Sequence, residues 1–362
     1  MEPKKYEYLD SLRGIAVIIV VWVHVSLGVG SFWEYFPTFM QIGMTRWIHC
    51  VQLFFIVSAF TLTMSYYNRK EETHATRNFV IRRFFRIAPM YYIAILYSTF
   101  DGFLGFDIFN LNWENFQFKG LVSSIFFLNG LFPAWINSYV PGGWTITVEF
   151  MFYFTMPFIC RYINNLNKSI VFVLITLLFS SLLNFVLEGS NFDKYDFLYY
   201  YFPNQLPVFA MGIMAYFLIK ENVYTIKSSV VLFFTGVFLF YCFFSFPTHI
   251  VDTVVFVLLI LILSKRPYKF LTNKILATVG QSSFSLYLIH FAILNIFIRL
   301  GWSGKDIIDV TNEFTAIINI ILLFSIIFGV SFVISQITYR LIELPGQNIG
   351  RKLIKRINIK HQ

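Results

Sequence analysis

Residues 13–24 read RGIAVIIVVWVH, an apolar run that begins with Arg13 and ends with His24. A helix crosses a bilayer with about 17–25 mainly apolar residues, and this run forms the middle of such a segment. The rest of the chain has a similar composition, because 57% of its 362 residues are hydrophobic and 13% are charged. Soluble domains average about 25% charged residues. We therefore predict an all-α fold, a polytopic membrane helical bundle.

About ten transmembrane helices are predicted from the apolar runs. They start near Gly14, Trp47, Ile87, Trp144, Ile170, Leu198, Val230, Val251, Ile275 and Thr315. With successive loops on alternate sides, 23 of the 28 Lys and Arg residues share the side of both termini. Cytoplasmic loops carry the excess of these residues, so the N-terminus and the C-terminus are predicted to be cytoplasmic. The expected location is the cell (plasma or inner) membrane, and the basic charge favours an anionic lipid bilayer over nucleic acid.

Two regions complete the predicted organisation: a transmembrane domain over residues 1–345 and a basic cytoplasmic tail over 346–362, lying along the inner membrane surface. The longest stretch between spans is about 107–143, which contains the apolar run LVSSIFFLNGLF at 121–132. This run is too short to span and is interpreted as re-entrant or interfacial. If it did span, every later loop would change sides. The three cysteines are scattered and predict neither a disulfide framework nor a metal site.

Arg13 and His24 are eleven residues apart, which is nearly three full helical turns, so both lie on one helix face. His24 is then about 16 Å deeper than Arg13, near the middle of the bilayer. An ionisable group at that depth is costly, faces the bundle interior and marks function by default. Histidine also exchanges protons near neutral pH. The structural alternative is a neutral histidine that is hydrogen-bonded to a neighbouring helix.

Glu149 is a second buried ionisable group, in PGGWTITVEFMFY at 141–153. It could orient a histidine base, or it could be a structural partner of a buried arginine or histidine. Arg83 and Arg86, in FVIRRFFRIAPMYY at 79–92, are spaced i, i+3 at the predicted cytoplasmic boundary. Together with Arg13 they predict a phosphate site, because the guanidinium fork suits phosphate oxygens. Snorkelling arginines are the alternative interpretation.

A polar stripe of Ser283, Tyr287 and His290 runs along SSFSLYLIHFAI at 282–293, with i, i+4, i+7 spacing. We favour interhelical hydrogen bonding over chemistry for this stripe, because such polar residues commonly join membrane helices.

The chain resembles a known family at several of these motifs. YLDSLRGIAVIIVVWVH at 8–24 is similar to the opening signature of the membrane acyltransferase-3 family, bacterial integral-membrane O-acyltransferases. The family's arginine-x10-histidine pattern falls on Arg13 and His24, and its R-x-x-R pattern on Arg83 and Arg86. Its tryptophan-led segment is matched from Trp144 to Glu149, followed by Phe152 and Tyr153, and SFSLYLIHF and YRLIELP are similar to its late motifs.

The chain also departs from the family in places. Gln52 replaces a usual aspartate and Ala59 a usual glycine, and the serines of the tryptophan-led segment are threonines here. The first change puts in doubt an acidic role at position 52. We expect the stand-alone form, without an SGNH-type domain.

The resemblance implies an acyltransferase that takes an acyl group from cytoplasmic acyl-CoA, with acetyl-CoA favoured as co-substrate and no permanently bound cofactor. The acceptor would be a hydroxyl of a cell-surface or lipid-linked carbohydrate. His24 would be the general base and Glu149 would orient it, while Arg13, Arg83 and Arg86 would bind the CoA phosphates. The residues that we expect in supporting roles are Trp144, Tyr153, Tyr287 and His290.

Two other classes of function stay open at this point. A transporter or lipid-linked sugar flippase could use the buried histidine and glutamate as a proton relay. A catalytically silent membrane scaffold is the third class. The sequence leaves open the acceptor, the length of the acyl chain, direct transfer against an acyl-enzyme, and whether the protein forms a homodimer.

Overall fold

A computed structural model of the protein describes residues 7–28, 30–38, 40–41, 47–103, 118–136, 139–190, 192, 197–225, 233, 248–302 and 307–359. Within these ranges the structure is helical and contains no strand, which confirms the all-α prediction. The α-helices are α1 (Glu7–Gly28), α2 (Val51–Tyr67), α3 (Ala75–Phe103), α4 (Phe118–Ile125), α5 (Gly143–Tyr162), α6 (Leu166–Leu187), α7 (Phe197–Tyr200), α8 (Phe202–Glu221), α9 (Thr248–Lys265), α10 (Lys274–Gln281), α11 (Ser283–Phe297), α12 (Glu313–Thr338) and α13 (Leu344–Ile359).

Six helical segments of the described residues are long and apolar enough to cross a membrane. They are Glu7–Gly28, Ile48–Tyr67, Leu166–Leu187, Phe202–Glu221, Ser283–Leu300 and Glu313–Ile359. Helices α3, α5 and α9 have 29, 20 and 18 residues and coincide with three further predicted spans, although they are not among these six. The predicted start near Val230 lies outside the described residues. The count of ten and the cytoplasmic termini therefore stay predictions.

The predicted start near Ile275 needs correction, because the apolar stretch there is divided into two helices. Helix α10 ends at Gln281, and the spanning segment begins at Ser283. Between them Ser282 has φ −97° and ψ 11° and is not part of either helix. Its hydroxyl accepts a hydrogen bond of 2.7 Å from Nε2 of Gln336 on α12. This long-range contact holds the break in place, and helical periodicity alone cannot reveal it.

The region between α3 and α5 contains no spanning helix in its described part. The predicted apolar run forms α4, which has eight residues, followed by single 3-10 turns at Asn129–Leu131 and Pro133–Trp135. Eight residues rise about 12 Å as a helix, which is well short of the hydrocarbon thickness of about 30 Å. Residues 104–117 lie outside the described part.

The chain divides into two compact units, which are described separately: residues 1–54 with 266–339, and residues 55–265 with 340–362. In the first unit α1 packs against α10, α11 and α12. Helices α1 and α10 approach so closely that a Cβ atom on Gly14 would overlap the carbonyl oxygen of Leu276. A Cβ atom on Gly280 would overlap that of Asp10. Small residues allow this backbone contact between membrane helices, and it fixes the position of the helix that carries His24.

In the second unit α6 packs against α8, and α3 packs against α13. Helix α13 contains the predicted boundary between residues 345 and 346. Its Gly346 lies against Pro89, and a Cβ atom there would come within 2.6 Å of that ring. The basic residues of α13 are exposed, and they are Arg351, Lys352, Lys355 and Arg356. Residues 346–359 of the tail therefore belong to an ordered helix on α3. The predicted contact of the tail with the membrane surface stays a prediction.

Candidate functional site

The first unit brings His24 of α1 and His290 of α11 together. Nε2 of His290 lies 3.4 Å from Nδ1 of His24, and the two ring centroids are 5.1 Å apart. His290 is fully buried, whereas His24 is half-buried and keeps part of its surface accessible. The two residues are 266 positions apart in the sequence. The polar stripe of α11, for which we predicted interhelical hydrogen bonding, therefore contacts His24, the predicted general base.

Backbone carbonyls determine where the protons of this pair lie. Nδ1 of His24 is 2.8 Å from the carbonyl oxygen of Val20, and Nδ1 of His290 is 3.2 Å from that of Leu286. A carbonyl oxygen can only accept, so each Nδ1 must carry a proton and donate it. In the neutral imidazole the other nitrogen then has the lone pair. Nε2 is consequently the basic atom of His24, and Nε2 of His290 is an acceptor that faces the Nδ1 proton of His24.

Aromatic rings fix the orientation of the two imidazoles. The Phe291 ring lies 4.6 Å from that of His24 and 4.0 Å from that of His290, between centroids. Tyr287, one turn before Phe291, has its ring 5.7 Å from that of His290. Trp22 packs edge-on against Phe324 of α12 at 5.2 Å and holds the same stretch of α1. The packing limits rotation of both imidazole rings and keeps their nitrogens in the observed positions.

Arg13 lies on α1 three turns before His24, as the spacing predicts. Its Nη1 is 3.1 Å from Oδ1 of Asp10, one turn earlier, and both side chains are largely buried, with 14% and 16% exposure. Asp10 therefore compensates part of the Arg13 charge. Arg13 belongs to the first unit and Arg83 and Arg86 to the second, so a joint phosphate site of the three stays a prediction.

The second unit places Glu149 among hydroxyl groups. Its Oε1 accepts hydrogen bonds from Ser58 Oγ on α2 at 2.5 Å and from Tyr153 Oη on α5 at 2.7 Å. Tyr153 is one turn after Glu149 and is 3% exposed, whereas Glu149 itself is half-buried. Hydroxyl donors stabilise the ionised form of a carboxylate. This arrangement holds a carboxylate in an apolar region through two hydroxyl donors. The expected role of Glu149 in orienting His24 stays a prediction.

Arg83 and Arg86 lie near the same tyrosine. Both are half-buried on α3, and the charges of both act on the Tyr153 hydroxyl. Arg83 also donates to Ser65 Oγ at 3.4 Å, and its guanidinium lies 5.4 Å from the centre of the Phe79 ring. The two arginines on one helix face, which the i, i+3 spacing predicted, are thus part of the surroundings of Tyr153.

Trp144 and the start of α5 are held by aromatic and amide contacts. The Trp144 ring, which is 7% exposed, lies 4.8 Å from that of Tyr200 and 5.9 Å from that of Phe55. One turn later Thr147 Oγ1 donates a hydrogen bond of 2.5 Å to Oδ1 of Asn129. The amide of Asn129 in turn donates to the carbonyl oxygen of Ile136 at 3.2 Å. The motif residues 144–149 are therefore anchored at both ends, with Glu149 at the second.

An apolar cavity of about 830 Å³ opens beside α5 in the second unit. Phe150 and Phe154 line one wall of the cavity. They directly follow Glu149 and Tyr153 in the sequence of α5. The rings of Phe150 and Phe127 stack there at 4.0 Å. Other lining residues are Phe84, Tyr92 and Phe202. A cavity of this size and composition accommodates a hydrocarbon chain better than a sugar, because it offers few polar groups.

Sequence reasoning missed Ser58, Asn129 and the contact of His290 with His24. Ser58 and Asn129 are polar residues within apolar runs, and both are buried. That composition was the available signal, since a buried polar group requires a hydrogen-bond partner. Their partners, Glu149 and Thr147, lie 91 and 18 residues away.

These features define an integral-membrane helical protein with ionisable side chains buried in its apolar interior, the class in which such residues carry function. The chain belongs to the acyltransferase-3 family: the family's profile, described as an acyltransferase domain, matches residues 6–340. The protein is accordingly a membrane acyltransferase. Comparison with curated proteins and with solved structures finds no match for the chain.

Proposed function

We propose that the protein transfers an acyl group, with acetyl favoured, from cytoplasmic acyl-CoA to a hydroxyl of a cell-surface or lipid-linked carbohydrate. The observation that carries the proposal is the proton arrangement of His24. Val20 fixes the proton on Nδ1 and leaves Nε2 with the lone pair, which is the form that a general base needs. The partial exposure of His24 allows an acceptor to approach it.

The reaction proceeds by attack of the acceptor oxygen on the thioester carbonyl carbon. Nε2 of His24 removes the proton from the hydroxyl as the new C–O bond forms. The tetrahedral intermediate then collapses, the C–S bond breaks, and the leaving sulfur takes the proton from His24. The products are the ester and free CoA, and His24 returns to its neutral form. Arg13, Arg83 and Arg86 would bind the phosphates of CoA, and Glu149 would stabilise the imidazolium.

The apolar cavity beside α5 favours a lipid-linked acceptor within this proposal. A polyprenyl or acyl chain would occupy the space lined by Phe127, Phe150 and Phe154. Because Phe150 and Phe154 directly follow Glu149 and Tyr153 on α5, the head group of such a lipid would lie near the polar cluster. A free polysaccharide gains nothing from the cavity.

The test is acyl transfer in cells that express the wild-type protein or His24→Ala at matched levels. Surface glycans and the lipid extract are analysed separately by mass spectrometry for the mass increment of an acetyl group. We expect the increment with wild type and its loss with His24→Ala, since a general base contributes about 10²–10⁴-fold. An increment that survives His24→Ala contradicts the assigned base.

The matched control is His49→Ala, a histidine in the 3-10 turn Ile48–Cys50 before α2. We expect it to leave the transfer unchanged. Wild-type cells with no increment in either fraction, together with purified protein that does not hydrolyse acetyl-CoA, would favour the transporter class instead.

A further inference from the structure

The pairing of His24 with His290 assigns a role to a residue that the sequence pattern associates with helix packing. We propose that His290 is a positioning residue for the base: its Nε2 accepts the Nδ1 proton of His24 and stabilises the imidazolium that forms during transfer. The proposal rests on the proposed function, in which His24 is the base. It gives the base a neutral hydrogen-bond partner on α11.

The hydrogen-bond directions support this assignment. The carbonyl oxygen of Leu286 keeps the proton of His290 on Nδ1, so Nε2 of His290 has a lone pair directed at His24. The Nδ1 proton of His24 is then shared between Val20 O at 2.8 Å and His290 Nε2 at 3.4 Å. The longer contact belongs to the resting state, and such contacts tighten when charge develops on the base. Both protons have a consistent place, and no ring has to flip.

Burial distinguishes the two histidines. His290 has no exposed surface, whereas His24 is half-buried. The acceptor can therefore reach His24, and His290 acts only through it. The Phe291 ring contacts both imidazoles. A neutral partner is suited to this position, because an unpaired carboxylate in the same apolar pocket would cost several kcal/mol of desolvation.

The pair is better explained by proton transfer than by metal binding. Among the residues that the structure describes, no group of three or more His, Cys, Asp and Glu side chains could hold a metal ion. Two imidazoles alone supply half of the usual tetrahedral ligand set of zinc.

Other titratable side chains on the elements packed against α1 in this unit also bear on the pH dependence of the transfer rate. They are Lys274 on α10, Tyr287 on α11, Glu313 on α12, and His49 and Cys50 before α2. Lys274 and Glu313 are the first residues of their helices. Tyr287 is the one whose ring is near His290, at 5.7 Å. The acid side of the pH profile therefore reports mainly on the two imidazoles.

The experiment uses membrane vesicles from cells that express the full chain, with radiolabelled acetyl-CoA as the probe and the vesicles' own material as acceptor. Initial rates of label incorporation are measured between about pH 4 and pH 9, because free histidine changes charge between about pH 5 and pH 8 and burial moves that change to lower pH. The variants are His290→Leu, His290→Gln and Ile289→Ala. Ile289 is a buried neighbour on α11, and its truncation reports loss of packing without loss of a hydrogen bond. Rates are normalised to the amount of folded protein.

We expect His290→Leu to lower the plateau rate about 10-fold and to shift the acid limb down by about 0.5–1 pH unit, the scale of one hydrogen bond to a developing charge. The sign follows from the loss of an acceptor: the imidazolium of His24 is less stable, so His24 is protonated only at lower pH. The side-chain oxygen of His290→Gln can accept at the position of Nε2. This variant therefore restores most of the plateau rate and returns the acid limb close to its wild-type pH. The apparent KM for acetyl-CoA stays within about 2-fold, because His290 does not touch the donor.

Each other outcome overturns the proposal. If His290→Leu and Ile289→Ala have the same effect, or if the acid limb stays in place, His290 has a packing role only. If the leucine variant does not fold, the glutamine variant decides: a rate near that of His24→Ala contradicts the proposal. Wild-type vesicles that incorporate no label refute the proposed function itself, whereas label in wild type with unchanged His290 variants refutes only the role of His290.

Discussion

The surroundings of His24 and of Glu149 solve the same physical problem in different ways. Both side chains are ionisable and lie within apolar helices. His24 is held by a backbone carbonyl, a second imidazole and a helix that contacts its neighbour through glycine. Glu149 is held by two side-chain hydroxyls, Ser58 and Tyr153. Near His24 the backbone fixes the geometry, and near Glu149 individual side chains do.

The difference is connected with the charge that each site must tolerate. A neutral histidine needs one acceptor and must keep its second nitrogen basic, so a rigid backbone contact is sufficient. A carboxylate needs donors for its oxygens, because desolvation of an unpaired charge costs several kcal/mol. Adding a single atom should therefore be most harmful where the helix of His24 crosses α10 at Gly14 and Gly280. Removing a single group should have graded effects near Glu149.

The largest effect is expected for Gly280→Ala in the crossing of α1 and α10. The new Cβ atom would overlap the carbonyl oxygen of Asp10, which is backbone and cannot move aside without shifting α1. Overpacking of this kind costs about 1–3 kcal/mol or more. The thermal midpoint in detergent is the measurement, with acyl transfer as a second readout.

The matched control is Gly329→Ala on α12, where a Cβ atom would meet no other atom within 4 Å. Alanine is favoured over glycine in a helix by about 0.5–1 kcal/mol, so this variant should be as stable as wild type or more so. Equal midpoints for the two variants would show that the close crossing does not hold α1 in place.

The second largest effect is expected for Glu149→Gln, and it concerns the rate of acyl transfer. The amide keeps the size of the side chain but removes the charge that two hydroxyls stabilise. Hydrogen bonds to charged groups contribute about 1.5–3 kcal/mol, so we expect transfer to fall about 10–100-fold while the protein remains folded. Transfer of labelled acetyl in vesicles measures it. An unchanged rate would show that Glu149 has a packing role only and that the histidine pair does not depend on its charge.

Much of this arrangement could be predicted from sequence, but only along single helices. The eleven-residue spacing placed Arg13 and His24 on one face, and the position of Glu149 in an apolar run marked it as a buried ionisable group. Helical periodicity shows which face is polar, and it cannot show which distant helix meets that face. The contact of His24 with His290 and that of Glu149 with Ser58 therefore required the structure.

Breaks inside apolar stretches were also beyond the sequence pattern. One span was predicted to start near Ile275, whereas the helix there ends at Gln281 and the next begins at Ser283. The break at Ser282 depends on Gln336, which is 54 residues away, and on the close approach of Gly280 to α1. Hydropathy measures the environment of a segment and contains no information on such a local hydrogen bond.

The third prediction concerns Asn129, which anchors the start of α5. Asn129→Ala leaves the Thr147 hydroxyl and the Ile136 carbonyl without their present partner. A buried polar group that loses its hydrogen bond costs about 1–3 kcal/mol. We expect a lower thermal midpoint in detergent and a modest loss of transfer, because Glu149 lies half a turn after Thr147.

The double variant Asn129→Ala with Thr147→Val provides the control for this hydrogen bond. Valine removes the hydroxyl that Asn129 no longer accepts, so the double variant should be more stable than the sum of the two single changes predicts. Additive losses would show that the bond between Asn129 and Thr147 contributes nothing to α5.

The smallest effect is expected for Ser58→Ala, and it separates the two sites most clearly. The substitution removes one of the two hydroxyl donors to Glu149 and leaves Tyr153 in place. Because the half-buried carboxylate can recruit water, the loss should be about 1 kcal/mol, seen as a transfer rate about 5-fold lower. Ser58→Thr keeps the donor and should retain the rate. If Ser58→Ala were as inactive as His24→Ala, the loss of one hydroxyl donor to Glu149 would stop transfer as completely as the loss of the base. The expectation of graded effects at Glu149 would then be wrong.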